Sequence, residues 1–299
     1  MKTIKQRISY AVMGLMAMGF TACTQNEDMA PMLKGQEINA TFSVGGMQTR
    51  VNTLGHGDSW EDKDKLKVSI FTDNDPGSTT VLSFNGETNE WSRSGSFRWL
   101  NEYEQHTILA VYPSDMDSWI YNLQYDLQTD QSSEGNLKNA DLITGYWHDV
   151  PRFDLISIPM KHRMSLVTIV YHVGTADYPN MDISEPQVYS KHTSVDFSRD
   201  DRGQFVMSTP TANPAWVKAY KHDDGMFSAI VIPGSYIKDE VFLKFMIGDN
   251  IFNAKMKMPT DFEEGKRYTY KLDVGKDKVK LTQISVDDMT GWTNEEDLK

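Results

Sequence analysis

Ser165-Leu166-Val167-Thr168-Ile169-Val170-Tyr171-His172-Val173 is apolar on both faces of a period-two backbone, so it reads as a strand buried near the centre of a sheet. Strand patterns continue on either side of it. Upstream, Ile38-Asn39-Ala40-Thr41-Phe42-Ser43-Val44 alternates apolar and polar residues, as do Leu66, Val68 and Ile70, then Ile108, Ala110 and Tyr112. Phe153 to Ile158 adds another run. Downstream come Val188 to Phe197, Phe227 to Ile232, Val241 to Ile247, Ile251 to Met258, Tyr268 to Val274, and Val279 to Val286. Pro113, Pro233-Gly234 and Gly275-Lys276-Asp277 punctuate them. Short strands with turns at this frequency predict a mainly β chain built from β-sandwiches. Helix signals are poor: Trp119 to Gln128 and Ser133 to Leu142 are at best short helices or loops.

The pattern breaks at Gly174-Thr175-Ala176-Asp177-Tyr178-Pro179-Asn180, which is polar and carries Gly and Pro. A division there separates a domain over residues 51–176 from one over 177–299. The first fifty residues differ from both. Lys2, Lys5 and Arg7 precede the uncharged apolar run Ile8 to Phe20, too short to span a bilayer, and Thr21-Ala22 lead into Cys23. This order predicts a signal peptide over 1–22. Thr-Ala-Cys after an apolar run resembles a bacterial lipoprotein signal, in which the cysteine is acylated and becomes the new N-terminus. Residues 24–35 are polar, interrupted by Pro31, and read as a tether; Gln25-Asn26-Glu27-Asp28 is similar to the acidic export signal of surface lipoproteins in Gram-negative anaerobes.

Composition narrows the function classes. A formal charge of −12 over 299 residues argues against nucleic acid, whose phosphates call for basic patches. Cys23 is the only cysteine, so its acylation would leave no thiol for a disulfide, a nucleophile or a zinc site. The seven histidines (56, 106, 148, 162, 172, 192 and 222) lack metal-ligand spacing, and His162 reads as a packed, hydrogen-bonded residue. Asp200-Asp201, Asp223-Asp224, Glu263-Glu264 and Glu295-Glu296 sit in turn-like or terminal segments, unlike a glycosidase pair. Gly55-His56-Gly57-Asp58 and Asp73-Asn74-Asp75 lack the spacing of a calcium loop. No nucleophile elbow, phosphate loop or dinucleotide fingerprint is present. The expectation is a protein without catalysis, metal or cofactor. Of the seven tryptophans, Trp119 and Trp147 lie in the loop-rich stretch and are the best placed for a sugar-stacking surface.

An ordered set of landmarks then carries a resemblance. Thr49-Arg50 follows the first alternating strand; Trp60 and Asp64 lead into Leu66 to Ile70; Glu90-Trp91 and Phe97-Arg98-Trp99 precede Ala110-Val111-Tyr112-Pro113. Asp141-Leu142-Ile143-Thr144-Gly145, Met160 to Val167, Ile230-Val231-Ile232-Pro233, Gly265 to Tyr270, and Ile284 running to Trp292 complete it. From the signal to Trp292 the chain resembles the fimbrillin family, the Mfa-like type V pilins made as lipoproteins. That resemblance implies two transthyretin-like β-sandwich domains, no catalytic centre, and export to the outer membrane on the Cys23 lipid, with surface exposure. It also implies that an arginine-specific protease removes residues 23–50, with Arg50 matching the cleavage position and Val51 the new start.

On this reading Ile38, Ala40, Phe42 and Val44 form a leader stripe that fills a groove until it is cut away. A strand from another pilin subunit then takes its place. Val279, Leu281, Ile284 and Val286 make the terminal strand a donor of that kind. The implied partners are other pilin subunits, the outer membrane through the lipid, and host or bacterial surface receptors. The rival expectation is a monomeric surface lipoprotein that binds glycan through loop tryptophans.

Overall fold

The computed structural model describes residues 32–44, 60–92, 95–116, 122–174, 182–222, 225–275 and 279–289. The signal peptide, Cys23, Arg50, Val51, Trp119 and Trp292 lie outside them, while residues Leu33–Lys299 form one compact unit. Almost every regular element is a strand, which makes the chain mainly β, as its alternation predicts.

A seven-stranded sheet runs in the order β1 (Ala40–Val44), β8 (Ile156–His162), β7 (Ile143–Asp149), β5 (His106–Tyr112), β2 (Lys65–Phe71), β3 (Ser78–Asn85) and β4 (Glu90–Trp91). A three-stranded sheet joins β12 (Phe205–Met207), β11 (Ser194–Arg199) and β6 (Asn122–Asp126). A four-stranded sheet holds β13 (Ala215–Lys218), β10 (Ser184–Ser190), β17 (Val241–Ile247) and β18 (Asn250–Lys255). Facing it is a five-stranded sheet of β14 (Tyr220–Lys221), β15 (Met226–Val231), β9 (Ser165–Val173), β20 (Lys266–Val274) and β21 (Val279–Asp288). The short pair β16 (Gly234–Tyr236) and β19 (Thr260–Phe262) completes the strands.

The strands enclose two cores, and β5 serves both. Its Ile108 and Ala110 join Leu66, Val68, Ile143 and Ile158 in one cluster. Leu109 and Val111, on the opposite face by the two-residue period, join Leu123, Tyr125, Leu142 and Phe197 in the other. The second cluster continues between the four- and five-stranded sheets, through Val188, Leu243 and Phe245 on one side and Val167, Ile169 and Leu272 on the other. β9 is central, as its two apolar faces predict: it pairs antiparallel with β15 and parallel with β20.

The structure redraws several sequence expectations. β9 precedes the expected 176/177 division, yet its partners follow it, because a strand apolar on both faces needs a central place in a covered sheet. β6 likewise pairs across the division with β11. Asn122–Asp126 is a strand rather than a short helix; its exposed–buried alternation lets Leu123 and Tyr125 enter the core. Val188 to Phe197 is two strands, split where the Ser190 hydroxyl donates to His192 O at 2.7 Å and turns the chain toward a different sheet. Phe153 and Leu155 lie before β8 and are each 57% exposed, so the alternating run Phe153 to Ile158 is strand only from Ile156. Within Ser133 to Leu142, the single helix α1 (Glu134–Asn139) starts where Ser133 Oγ accepts the Asn136 amide.

Candidate functional site

The segment from Gly35 to Val44 lies between two neighbours and bonds each in a different direction. At its start the Gly35 amide donates to Trp99 O at 2.8 Å, Trp99 N–H donates to Gln36 O at 3.1 Å, and Ile38 N–H donates to Phe97 O at 3.1 Å. This is antiparallel pairing, centred on a Glu37–Arg98 bridge. Further on, the chain switches partners. Ile156 N–H donates to Asn39 O at 2.9 Å, and β1 then runs parallel to β8, with Ala40 opposite Ile156, Phe42 opposite Ile158 and Val44 opposite Met160. Trp60 Nε1 donates to Phe42 O at 2.7 Å.

Alternation turns one face of this segment inward. Ile38, Phe42 and Val44 are buried at 8%, 3% and 7% exposure, whereas Ala40 is half-buried. The Phe42 ring meets Trp91 edge-on at 5.4 Å, and Trp91 meets Trp60 at 5.2 Å. Beneath them lie Phe97, Trp99, Ile156, Ile158 and Met160, all buried. Gly145 makes room here: a Cβ on it would lie 2.2 Å from Met160 Sδ, so only glycine lets Met160 settle opposite Val44. The rim is charged. Arg98 donates to Gly35 O at 2.7 Å and to Glu37 Oε1 at 3.0 Å, across a half-exposed pair worth about 0–1 kcal/mol.

His106 braces the floor. Its ring packs edge-on against Trp99 at 5.3 Å. Nε2 accepts the Leu100 amide at 3.0 Å and Nδ1 contacts Glu104 O at 2.9 Å, so a neutral ring protonated on Nδ1 satisfies both bonds. Burial holds its pKa below the usual histidine value, against the opposing pull of the Glu104 carbonyl and carboxylate. His162, at the end of β8, contacts Asp141 Oδ2 through Nδ1 at 2.7 Å with both side chains buried, so it is a packed and hydrogen-bonded residue.

The terminal strand expected to act as donor occupies a place in its own chain, antiparallel to β20. Val279 is half-buried and Leu281 is buried, but Ile284 and Val286 are 54% and 46% exposed. A bulge leaves Ile284 without a register partner and sets Val286 opposite Tyr268, on the side where Leu281 and Val279 lie opposite Leu272 and Val274. Among the described tryptophans, Trp147 is half-buried, tilted against Trp99 at 5.5 Å, with Arg152 over its face at 5.6 Å, and Trp216 packs on Tyr189; Trp119 lies outside the described residues. Among the carboxylate pairs, Asp200 accepts the Arg202 and Gln204 amides in a turn, and Glu264 pairs with Arg163 at 3.1 Å. Among the described residues, no group of three or more His, Cys, Asp or Glu could hold a metal, and no helix is long and apolar enough to cross a membrane.

The residues that sequence reasoning missed are those that pack and pair with Gly35 to Val44: Phe97 to Trp99, Ile156 to Met160, and Gly145. The Phe97-Arg98-Trp99 landmark was visible, but its pairing across some sixty residues was not.

A family profile described as fimbrillin-like matches residues 49–290. A candidate cell adhesion protein from Bacteroides ovatus superposes with a TM-score of 0.64 at 14% identity, over 87% of this chain and 99% of that one. Another from Bacteroides uniformis gives 0.59 at 15% identity, over 78% and 94%. Both likenesses show a shared fold. No curated protein matches the chain.

Proposed function

The chain belongs to the fimbrillin-like family, and from that premise we propose that it is a structural and adhesive subunit of a type V fimbria, at stalk or tip. It is exported as a lipoprotein on Cys23, reaches the outer surface of the outer membrane, and matures when a protease cuts between Arg50 and Val51. A strand from another subunit then replaces the leader. It takes no part in catalysis.

The observation that carries this reading is the leader itself. Ile38, Phe42 and Val44 complete a core, yet the backbone that holds them is continuous with the rest of the chain only through residues 45–59, where Arg50 lies. Cutting there turns an intramolecular strand into a dissociable peptide. Loss of that peptide would strand the Phe97 and Trp99 backbone groups and the β8 edge without partners. It would also expose a trough floored by Trp99, Ile156, Ile158 and Met160. Unpaired edges and apolar troughs are templates for strand addition. In the donor role β21 would present Val279, Leu281 and Val286 from one side, with Ile284 set apart by the bulge.

The test is the N-terminal sequence of the protein taken from cells, together with its apparent mass without boiling. A start at Val51 with a ladder of high-mass species supports strand exchange. A monomer with an acylated Cys23 overturns it, and tryptophan fluorescence during glycan titration would then examine a glycan-binding lipoprotein.

A further inference from the structure

A small, partly open cavity of about 160 Å³ lies between the segment Met256 to Met258, which follows β18, and residues of β19, β20 and β21. Its walls are soft and apolar: Met256 and Leu281 are buried behind it, and Met258, 56% exposed, stands at its mouth. Methionine thioethers pack well against the edges of aromatic rings and adapt to ring position.

One wall is polar in an unusual way. Tyr270 is only 3% exposed and lines the cavity, and its hydroxyl has a hydrogen-bonding neighbour in the Thr260 hydroxyl but no bond of ordinary length and angle. The Thr260 hydroxyl also reaches toward Met258 O at 3.5 Å and Gln283 Oε1 at 3.4 Å, both long contacts, and Thr282 Oγ1, in the same lining, makes no bond of ordinary geometry either. A buried hydroxyl so weakly paired costs stability, and such a group calls for an explanation. Tyr270, Thr260 and Gln283 therefore form a loosely satisfied polar corner beside an apolar wall, and all three line the same space.

We propose that this cavity binds a single aromatic ring bearing a hydroxyl: the ring lies against Met256, Met258 and Leu281, and its hydroxyl bonds Tyr270 Oη and the Gln283 amide. The volume fits, since apolar cavities of about 150 Å³ admit benzene. The chemistry has two sources, a free phenol or the tyrosyl side chain of another chain. β18 and β21 are both sheet edges, so a peptide backbone could pair beside the cavity while its side chain enters.

The experiment uses the full chain and two probes, p-cresol and an unstructured pentapeptide with one central tyrosine, followed by NMR of Met256 and Met258 methyl groups. An eight-atom ligand should bind with a Kd of about 0.1–1 mM. Tyr270→Phe should weaken it about tenfold while leaving the melting temperature of the free protein nearly unchanged, because the lost hydroxyl is only weakly paired with Thr260. Met258→Trp, an exposed change at the mouth, should also block entry without disturbing the fold. Binding of p-cresol alone identifies a free phenol as ligand; peptide binding at least tenfold tighter identifies a side chain from another chain. No methyl shift with either probe at 5 mM (on the order of five to fifty times the expected Kd) overturns the proposal, as does equal binding by the Tyr270→Phe protein. Neither outcome depends on cleavage at Arg50, so failure here leaves the fimbrial reading intact.

Discussion

Replacing Phe42 by alanine in the uncut chain measures whether the leader is part of the folded core. Phe42 is 3% exposed, contacts Trp91 edge-on, and lies opposite Ile158 of β8. Truncating a buried phenylalanine costs about 3–5 kcal/mol, of which about 0.5–1.5 is the aromatic pair. For a chain of this size each kcal/mol moves the midpoint by about 2–4 °C, so the expected drop is about 6–20 °C. The bond from Trp60 Nε1 to Phe42 O does not involve the Phe42 side chain and should survive. Ser43→Ala, on the opposite face, is the control and should change stability by less than about 0.5 kcal/mol. The assay is thermal unfolding by circular dichroism on the soluble protein with Cys23 replaced, backed by the rate of trypsin cleavage. A Phe42→Ala midpoint within about 2 °C of the parent would refute the argument that the stripe completes the core. The same substitution should leave a chain beginning at Val51 untouched, because residue 42 is then gone.

Gly145→Ala would push a Cβ to within 2.2 Å of Met160 Sδ and should cost about 1–3 kcal/mol in denaturant unfolding, with the leader more easily cut. Asp141→Ala removes the buried partner of His162 Nδ1 and should cost about 1–3 kcal/mol, read by the same unfolding curves. Acid should act through His106. The folded chain holds this ring neutral, whereas the unfolded chain takes up a proton near pH 6.5, so stability is full above that value and falls as pH drops below it. His106→Gln should flatten the dependence of the melting temperature between about pH 6.5 and 5; an unchanged slope would show that the ring does not govern it.

The β character of the chain was legible because alternation is a local property. Ser165–Val173 announced its central position through two apolar faces, and it holds that position between β15 and β20. What alternation could not show was where a run bends out of one sheet into another. Val188 to Phe197 loses its alternation at the polar run Ser190-Lys191-His192-Thr193-Ser194, which has no glycine or proline, so the letters mark a weak break but not a passage into another sheet. Phe153 and Leu155 alternate as well as any strand but face water, because burial depends on what the fold places above them. The leader stripe was readable for the same local reason; its receptors were not, since Phe97 to Trp99 and β8 reach it from about 60 and about 115 residues away along the chain.

The parallel pairing of β9 with β20 has a mechanical consequence. Their register runs from Leu166 opposite Arg267 to Val173 opposite Val274, so the two strands start together and end together. Tension that pulled β9 back by its first residue and β20 forward by its last would slide one strand along the other. Every rung of that ladder would then bear load at once. A hairpin tugged at its open end fails differently, unzipping one rung at a time. A subunit strained along this direction would meet that resistance at β9, the strand whose two faces are both apolar.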